Sequence, residues 1–367
     1  MKNTFGNQLT ITLFGESHGT AIGAVIDGVP SGVKIDEELM KRMMEQRKAV
    51  GSISTARKEA DLPHILSGVK NGYTEGTPIA ICIENQNVRR QDYNALQNVA
   101  RPGHADYAGH MKYLGYEDAS GGGHFSGRIT APIVATGAIC MHMLETKGIY
   151  VGTHITQLLN LKDRPYDEEH LLEDIQKVNQ KTFAVLDDEM EEKMTSLIQD
   201  ARSKQDSVGG ILDTAIFGLE PGIGEPEFDS LESLISHAMF SIGGVKGIEF
   251  GDGFNFSTMY GSQANDAFRI KDGKVVTKTN HNGGINGGIS NGMPIRFRLA
   301  VKPTPSIAQE QETVNFDTKQ EQPITIVGRH DPAIIHRVRV VVDSLVAITL
   351  VNFLIERHGS LYFGDEK

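Results

Sequence analysis

Apolar and polar positions alternate over residues 9–14 (LTITLF), with Leu9, Ile11 and Leu13 on one side of an extended chain, and this period of two predicts a half-buried strand. Residues 22–29 predict a second strand, so residues 15–19 form the loop between the two. The spacing then becomes helical. Behind Asp36, residues 36–47 place Leu39, Met43 and Met44 on one face, and residues 131–147 repeat the pattern until Gly148 stops it. Residues 166–179 and 187–203 are amphipathic and strongly charged, which predicts exposed helices on the outside of the fold and no active-site wall. Strands are predicted over 210–219 and 293–301, a helix over 231–242, and a long helix over 339–357 that ends at Gly359. The polar stretch 309–322 reads as a mobile loop. Strands and helices mix without regular alternation or a fixed-period repeat, so the expected fold class is α+β, with residues 1–367 as a single domain.

Composition narrows the choice of function. The chain has 367 residues, 39% apolar and 23% charged, enough to bury a large core. Apolar runs such as 345–354 are too short for a bilayer, and the start Met1-Lys2-Asn3-Thr4 carries no apolar stretch before a small-residue cleavage site. A cytoplasmic protein with no membrane partner is expected. Cys82 and Cys140 stand alone, without Cys-x-x-Cys spacing, so neither a disulfide framework nor a structural zinc site is indicated. The formal charge of −11 argues against a nucleic-acid partner, although net charge does not describe a single concave patch. Neither a Rossmann nor a Walker glycine pattern is present, so a nucleotide-like ligand would have to be held in another way.

The residues with chemistry sit in loops. Gly15-Glu16-Ser17-His18-Gly19 follows a strand, Arg101-Pro102-Gly103-His104-Ala105-Asp106-Tyr107 fixes a histidine between Pro, Gly, Arg and Asp, and Gly328-Arg329-His330-Asp331-Pro332 sets a cation beside a carboxylate. One loop histidine is usually structural. Three such loops suggest convergence on one pocket where histidines move protons. A Ser17–His18 nucleophilic pair is disfavoured because adjacent side chains rarely face each other and no nucleophile elbow occurs. Zinc held by His104 with His110, or by His330 with His336, lacks the i, i+4 spacing of a helical site, and no metal is expected. Arg47, Arg57, Arg101, Arg128, Lys302, Arg329 and Arg337 lie in or beside these loops. Singly, each suits a surface ion pair with a neighbour such as Glu16, Glu59 or Asp61. Together they suit a polyanion, because guanidinium forks match phosphate and carboxylate.

The set GESHG (15–19), RPGHADY (101–107), GGGHFSGRITA (121–131) and GRHDP (328–332), in that order, resembles the chorismate synthase family. DGVPSG (27–32), ILSGV (65–69), VKGIEFGDGF (245–254), NHNGGINGGIS (280–290) and KPTPSI (302–307) extend the likeness along nearly the whole chain. The resemblance implies a lyase that converts 5-enolpyruvylshikimate 3-phosphate to chorismate by 1,4-anti elimination of phosphate. It also implies reduced FMN (FMNH2) as cofactor, NADPH acting through a separate flavin reductase, a homotetramer, and helices layered between antiparallel sheets. By position, His18 would protonate departing phosphate, His104 would protonate or poise the flavin, and Asp331 would assist proton removal. Arg47, Arg101, Arg128 and Arg337 would bind substrate. The flavin would meet His124, Phe125, Ser126, Gly243, Gly244, Gly287, Lys302, Pro303, Thr304, Pro305, Ser306 and Arg329, with Arg47 also linked to NADP.

The sequence departs from the family where GGGRSSARETA reads GGGHFSGRITA, placing His124, Phe125 and Ile129 at altered positions. Gly243 replaces an asparagine, and the arginine-rich run after Gln46 keeps Arg47 but lacks a downstream Arg. Two alternatives to the active enzyme stay open at this point: a non-catalytic flavin-binding relic, and a related lyase with another substrate.

Overall fold

Ile22, Ala24 and Ile26 are buried along one side of their strand, and Ile79, Ile81 and Ile83 along one side of theirs. The computed structural model, which describes residues 2–49, 51–54, 60–86, 98–326 and 331–364, pairs these strands antiparallel with Ala24 opposite Ile81. They belong to a five-stranded sheet ordered Thr4–Gly6, Thr10–Gly15, Ala21–Asp27, Ile79–Glu84, His64–Ile65. A second five-stranded sheet is ordered Val245–Phe250, Ile295–Val301, Gly210–Phe217, Tyr150–Leu158, Leu161–Lys162, and is also antiparallel.

Between the sheets lie the helices Thr130–Thr146 and Ile335–His358, which pack on each other. The first also meets Ala21–Asp27 and Ile79–Glu84, and the second meets Tyr150–Leu158 and Gly210–Phe217. Both helices are apolar on nearly every side, and a helix of that kind must be enclosed. By length and composition they resemble membrane spans, yet they are buried inside the protein. They cross closely at Gly137, where a Cβ would lie 2.2 Å from Ser344 Cβ. Glycine within a helix costs about 1 kcal/mol relative to alanine, and here that cost permits the contact. The helix Glu37–Arg47 packs against both, started by Asp36, whose carboxylate accepts the Leu39 N–H at 2.9 Å. The fold class is α+β, as expected, with a main apolar core that draws on residues from Leu9 to Phe363 and two smaller clusters beside it.

Four expectations change. Residues 309–322 are not a loop but most of a hairpin, Glu310–Asn315 with Gln320–Thr325. The side chains of Glu310–Asn315 alternate between exposed and half-buried, so polar residues occupy the positions where an apolar row would have revealed a strand. Residues 166–170 precede the helix, which spans Leu171–Gln180. Tyr166 is buried and donates its hydroxyl to the Gly152 carbonyl at 2.9 Å, while Asp174 accepts the Asp167 N–H at 2.9 Å and closes a turn ahead of the helix. The two charged helices also bury a face each, through Leu171, Ile175 and Val178 and through Met194, Ile198 and Ala201. The C-terminal helix begins at Ile335, a turn earlier than its apolar spacing indicates.

Candidate active site

The loop Gly121-Gly122-Gly123 sits where the first two histidine loops meet. Its φ angles are +61°, +85° and +51°, the left-handed region that favours glycine. A Cβ on Gly121 would come 2.4 Å from the His18 ring, and one on Gly122 would come 3.4 Å from His104 Cε1. Successive glycines of one loop therefore carry the two histidines on their bare surface. The assembly is held by backbone: Ser17 N–H donates to Gly123 O at 3.1 Å, and His124 Nδ1 lies 3.1 Å from Gly15 O. His18 is buried at 3% exposure on the turn between Thr10–Gly15 and Ala21–Asp27.

His104 is oriented by a carboxylate. Its Nδ1 lies 2.6 Å from Asp106 Oδ1, and Arg101 donates to both Asp106 oxygens at 2.7 Å from Nε and a terminal nitrogen. Burial works to raise the Asp106 carboxyl, but hydrogen bonds from Arg101 and His104 outweigh it and hold it well below the usual carboxylate range. The Nδ1–H then points at the carboxylate, leaving Nε2 beside Gly122. Arg101 thus supports His104 directly, a use that its predicted substrate contact did not include.

The segment 302–306 joins this loop from the second sheet. Lys302 Nζ donates to Gly103 O at 2.6 Å, Pro305 Cβ lies 3.3 Å from the Cβ position of Gly103, and Lys302 N–H donates to Gly244 O at 2.8 Å. Of the predicted flavin residues, Lys302 and Pro305 therefore adjoin the His104 loop at Gly103, and Gly244 joins them through Lys302. Ser126 accepts the Arg128 N–H at 3.3 Å and caps the short helix Gly127–Ile129. Phe125 turns toward Gly109, with its ring 6.1 Å from that of Tyr113. Gly287 lies in a hairpin whose next residue, Gly288, accepts the Leu231 N–H at 3.0 Å. Arg57, Arg329 and His330 lie outside the described residues.

The arginines form a second cluster around one carboxylate. Asp61, with φ of +48°, bridges Arg47 and Arg128 with one oxygen each, and all three side chains are buried. Burial and the nearby Arg337 and Arg128 bring the Arg47 guanidinium down to about 10, against the opposing pull of Asp61. Burial likewise acts to raise Asp61, but the two arginines prevail and lower it. Arg337 donates to Asp331 at 2.6 Å and to Arg47 O at 2.9 Å, which ties the third histidine loop to this cluster. His336, the adjacent ring, is buried against Ser54 Oγ at 2.7 Å. Among the described residues no three His, Cys, Asp or Glu side chains converge as metal ligands.

With this geometry in view, comparison with known proteins is decisive: a family model for chorismate synthase matches residues 9–355. The chain belongs to the chorismate synthase family. A chorismate synthase from Pyrococcus abyssi is 44% identical over 352 residues, covering 96% of this chain and 97% of that protein. One from Methanocella arvoryzae is 44% identical over 354 residues, covering 96% and 94%. A crystal structure of chorismate synthase superimposes with a TM-score of 0.73 at 28% identity, covering 97% of this chain and 94% of that one. The family likeness spans both sheets and the two helices between them.

Sequence reading missed one residue at the junction of the clusters, Asn85, which follows the strand Ile79–Glu84. That strand carries an apolar row, ending at Ile83 one turn of pleat before Asn85, and its period was the signal that could have led there.

Proposed function

We propose that this protein is a catalytically active chorismate synthase, eliminating phosphate from 5-enolpyruvylshikimate 3-phosphate with reduced FMN bound. The observation that carries this reading is the seating of His18 and His104 on Gly121 and Gly122 of a single loop. Two imidazoles on one short glycine run can serve opposite sides of one reaction. His18 donates a proton to the departing phosphate. His104, its Nδ1 held by Asp106, exchanges a proton through Nε2. Asp331, positioned by Arg337, assists proton removal. Arg47, Arg128 and Arg337 draw in the substrate's carboxylates and phosphate, and Arg101 adds its charge from the His104 loop.

Residues 302–306 with Gly243, Gly244 and Ser126 fit the flavin. Thr304 Oγ1 is buried with no hydrogen-bond partner among the described residues, and nothing lies within 4 Å of a Cβ built on Gly243. Reduced FMN, when bound, supplies the electron-rich ring that the elimination requires without net oxidation. Its electrons come from NADPH through a separate reductase. The main apolar core, which draws on residues from Leu9 to Phe363, supports treating residues 1–367 as one catalytic domain. Exposed Phe254, Tyr260, Phe268 and Ile270 provide apolar surface for a homotetramer, checked by light scattering.

The test is anaerobic turnover with chemically reduced FMN, following phosphate and chorismate together. Native protein should release both, and His18→Ala and His104→Ala should release little of either. A folded native protein that binds FMN but forms no chorismate would overturn the reading.

A further inference from the structure

The His18 turn and the arginine cluster are separate elements, yet one side chain bonds to both. Asn85 donates from Nδ2 to Glu16 O and to Gly19 O, each at 2.9 Å, so a single amide closes both ends of the turn that holds Ser17 and His18. Its Oδ1 accepts the Arg128 Nε–H, also at 2.9 Å. Both donor hydrogens and the acceptor are engaged. The backbone of Asn85 already donates to Thr20 O at 3.1 Å. The strand end is therefore paired without the side chain, and the amide's three bonds serve the turn and the arginine alone.

We propose that Asn85 is a positioning residue that locks the His18 turn to Arg128, so that the proton donor and the guanidinium facing the leaving group are set at one fixed spacing. Arg128 reaches the rest of the cluster through Asp61, which also grips Arg47. Through Asn85, the imidazole is thus registered against both guanidiniums. The chemical requirement is plain. Phosphate departure needs positive charge and a proton at the same oxygen set, and an error of about 1 Å in such an arrangement costs on the order of 10²-fold in rate. Only an amide meets the demand: a carboxylate lacks the two donors, and an alkyl side chain lacks everything.

This inference rests on the proposed roles of His18 and Arg128, and its test separates the two claims. Asn85→Asp keeps an acceptor for Arg128 but turns an oxygen toward two carbonyl oxygens, so kcat should fall on the order of 10²-fold while KM stays near native. Asn85→Ala removes the hold on Arg128 as well, so KM should rise in addition. In a His18→Ala background, Asn85→Asp should lower kcat by no more than about twofold further, because the residue acts through His18. A second readout needs no turnover. The His18 imidazole resonance, assigned by its loss in His18→Ala, should shift in Asn85→Asp. Thermal unfolding confirms that each variant is folded; if Asn85→Ala is not, Asn85→Asp decides. Native kcat in Asn85→Asp together with an unmoved His18 resonance would overturn the proposal. A native protein that makes no chorismate would instead overturn the assigned function, and the resonance would then decide the role of Asn85 by itself.

Discussion

His104 and His154 are built from the same parts and put to different uses. Each presents Nδ1 to an aspartate, at 2.6 Å from Asp106 and 2.9 Å from Asp163. Each aspartate is fixed in turn, Asp106 by Arg101 and Asp163 by the Leu186 and Asp187 N–H groups at 2.6 and 2.9 Å. The difference lies at the other nitrogen. His104 Nε2 adjoins Gly122, in a loop whose side chain remains 17% exposed. His154, fully buried on Tyr150–Leu158, turns Nε2 toward Asp213 at 3.8 Å and packs its ring 4.6 Å from Tyr166. Burial opposes charge on His154, but the two carboxylates outweigh it and raise its affinity for a proton. An imidazolium enclosed between carboxylates is a fastener. An imidazole with one nitrogen over bare backbone can exchange its proton.

The largest expected effect tests that distinction directly. His104→Ala should lower chorismate formation by about 10²–10⁴-fold, with an unfolding midpoint near native. His154→Ala should do the reverse, costing on the order of 3 kcal/mol in denaturant unfolding by taking the cation from buried Asp163 and leaving Asp213 with Arg296 alone, while turnover per folded molecule stays within about twofold of native. A His154→Ala protein that is stable but inactive would erase the contrast. Asp61→Asn sharpens it from the arginine side: two buried guanidiniums lose their shared charge, and we expect a stability loss on the order of 3 kcal/mol with a raised KM. Gly121→Ala puts a methyl 2.4 Å from the His18 ring at φ of +61°. Turnover should fall on the order of 10²-fold, with a stability cost of only about 1–2 kcal/mol.

The smallest effect is a pH signature that separates two buried histidines. Burial, aided by Arg337, drives His336 down to about 3. Because the unfolded chain takes up that proton near 6.5 and the folded protein does not, stability should fall as pH drops below about 6.5, with a slope of at most about 1.4 kcal/mol per unit. His154 has the opposite sign: its contribution is complete below about 6.5 and is lost as pH rises through its higher folded value. Unfolding midpoints across pH should therefore lose their acid slope in His336→Gln and their alkaline slope in His154→Gln.

Most of the α+β fold was legible where one face is wet. Residues 9–14 and 36–47 alternate or recur because only one side meets the core, and the structure places Thr10–Gly15 and Glu37–Arg47 there. Tyr150–Leu158 went unread because both its faces are covered, by the helix Leu171–Gln180 and by the C-terminal helix, which removes the alternation. In the site, His18, His104 and the arginines stood out as chemistry on rigid loops. Their long-range pairings did not. Asp61 reaches Arg128 across 67 positions and Asn85 reaches Glu16 across 69, and no local pattern encodes such pairings.

The C-terminal helix carries a consequence for biosynthesis. It fills the space between two sheets whose strands all precede it, and its Asn352 accepts the Gln8 N–H at 2.9 Å and the Leu9 N–H at 3.4 Å. During translation the inner face of the second sheet and the far side of Thr130–Thr146 are therefore made before the helix that covers them, and at roughly 5–20 residues per second they wait several seconds for it. The emerging polypeptide cannot complete its interior piecemeal, so its dependence on chaperones should be concentrated in that interval and end when Ile335–His358 clears the ribosome.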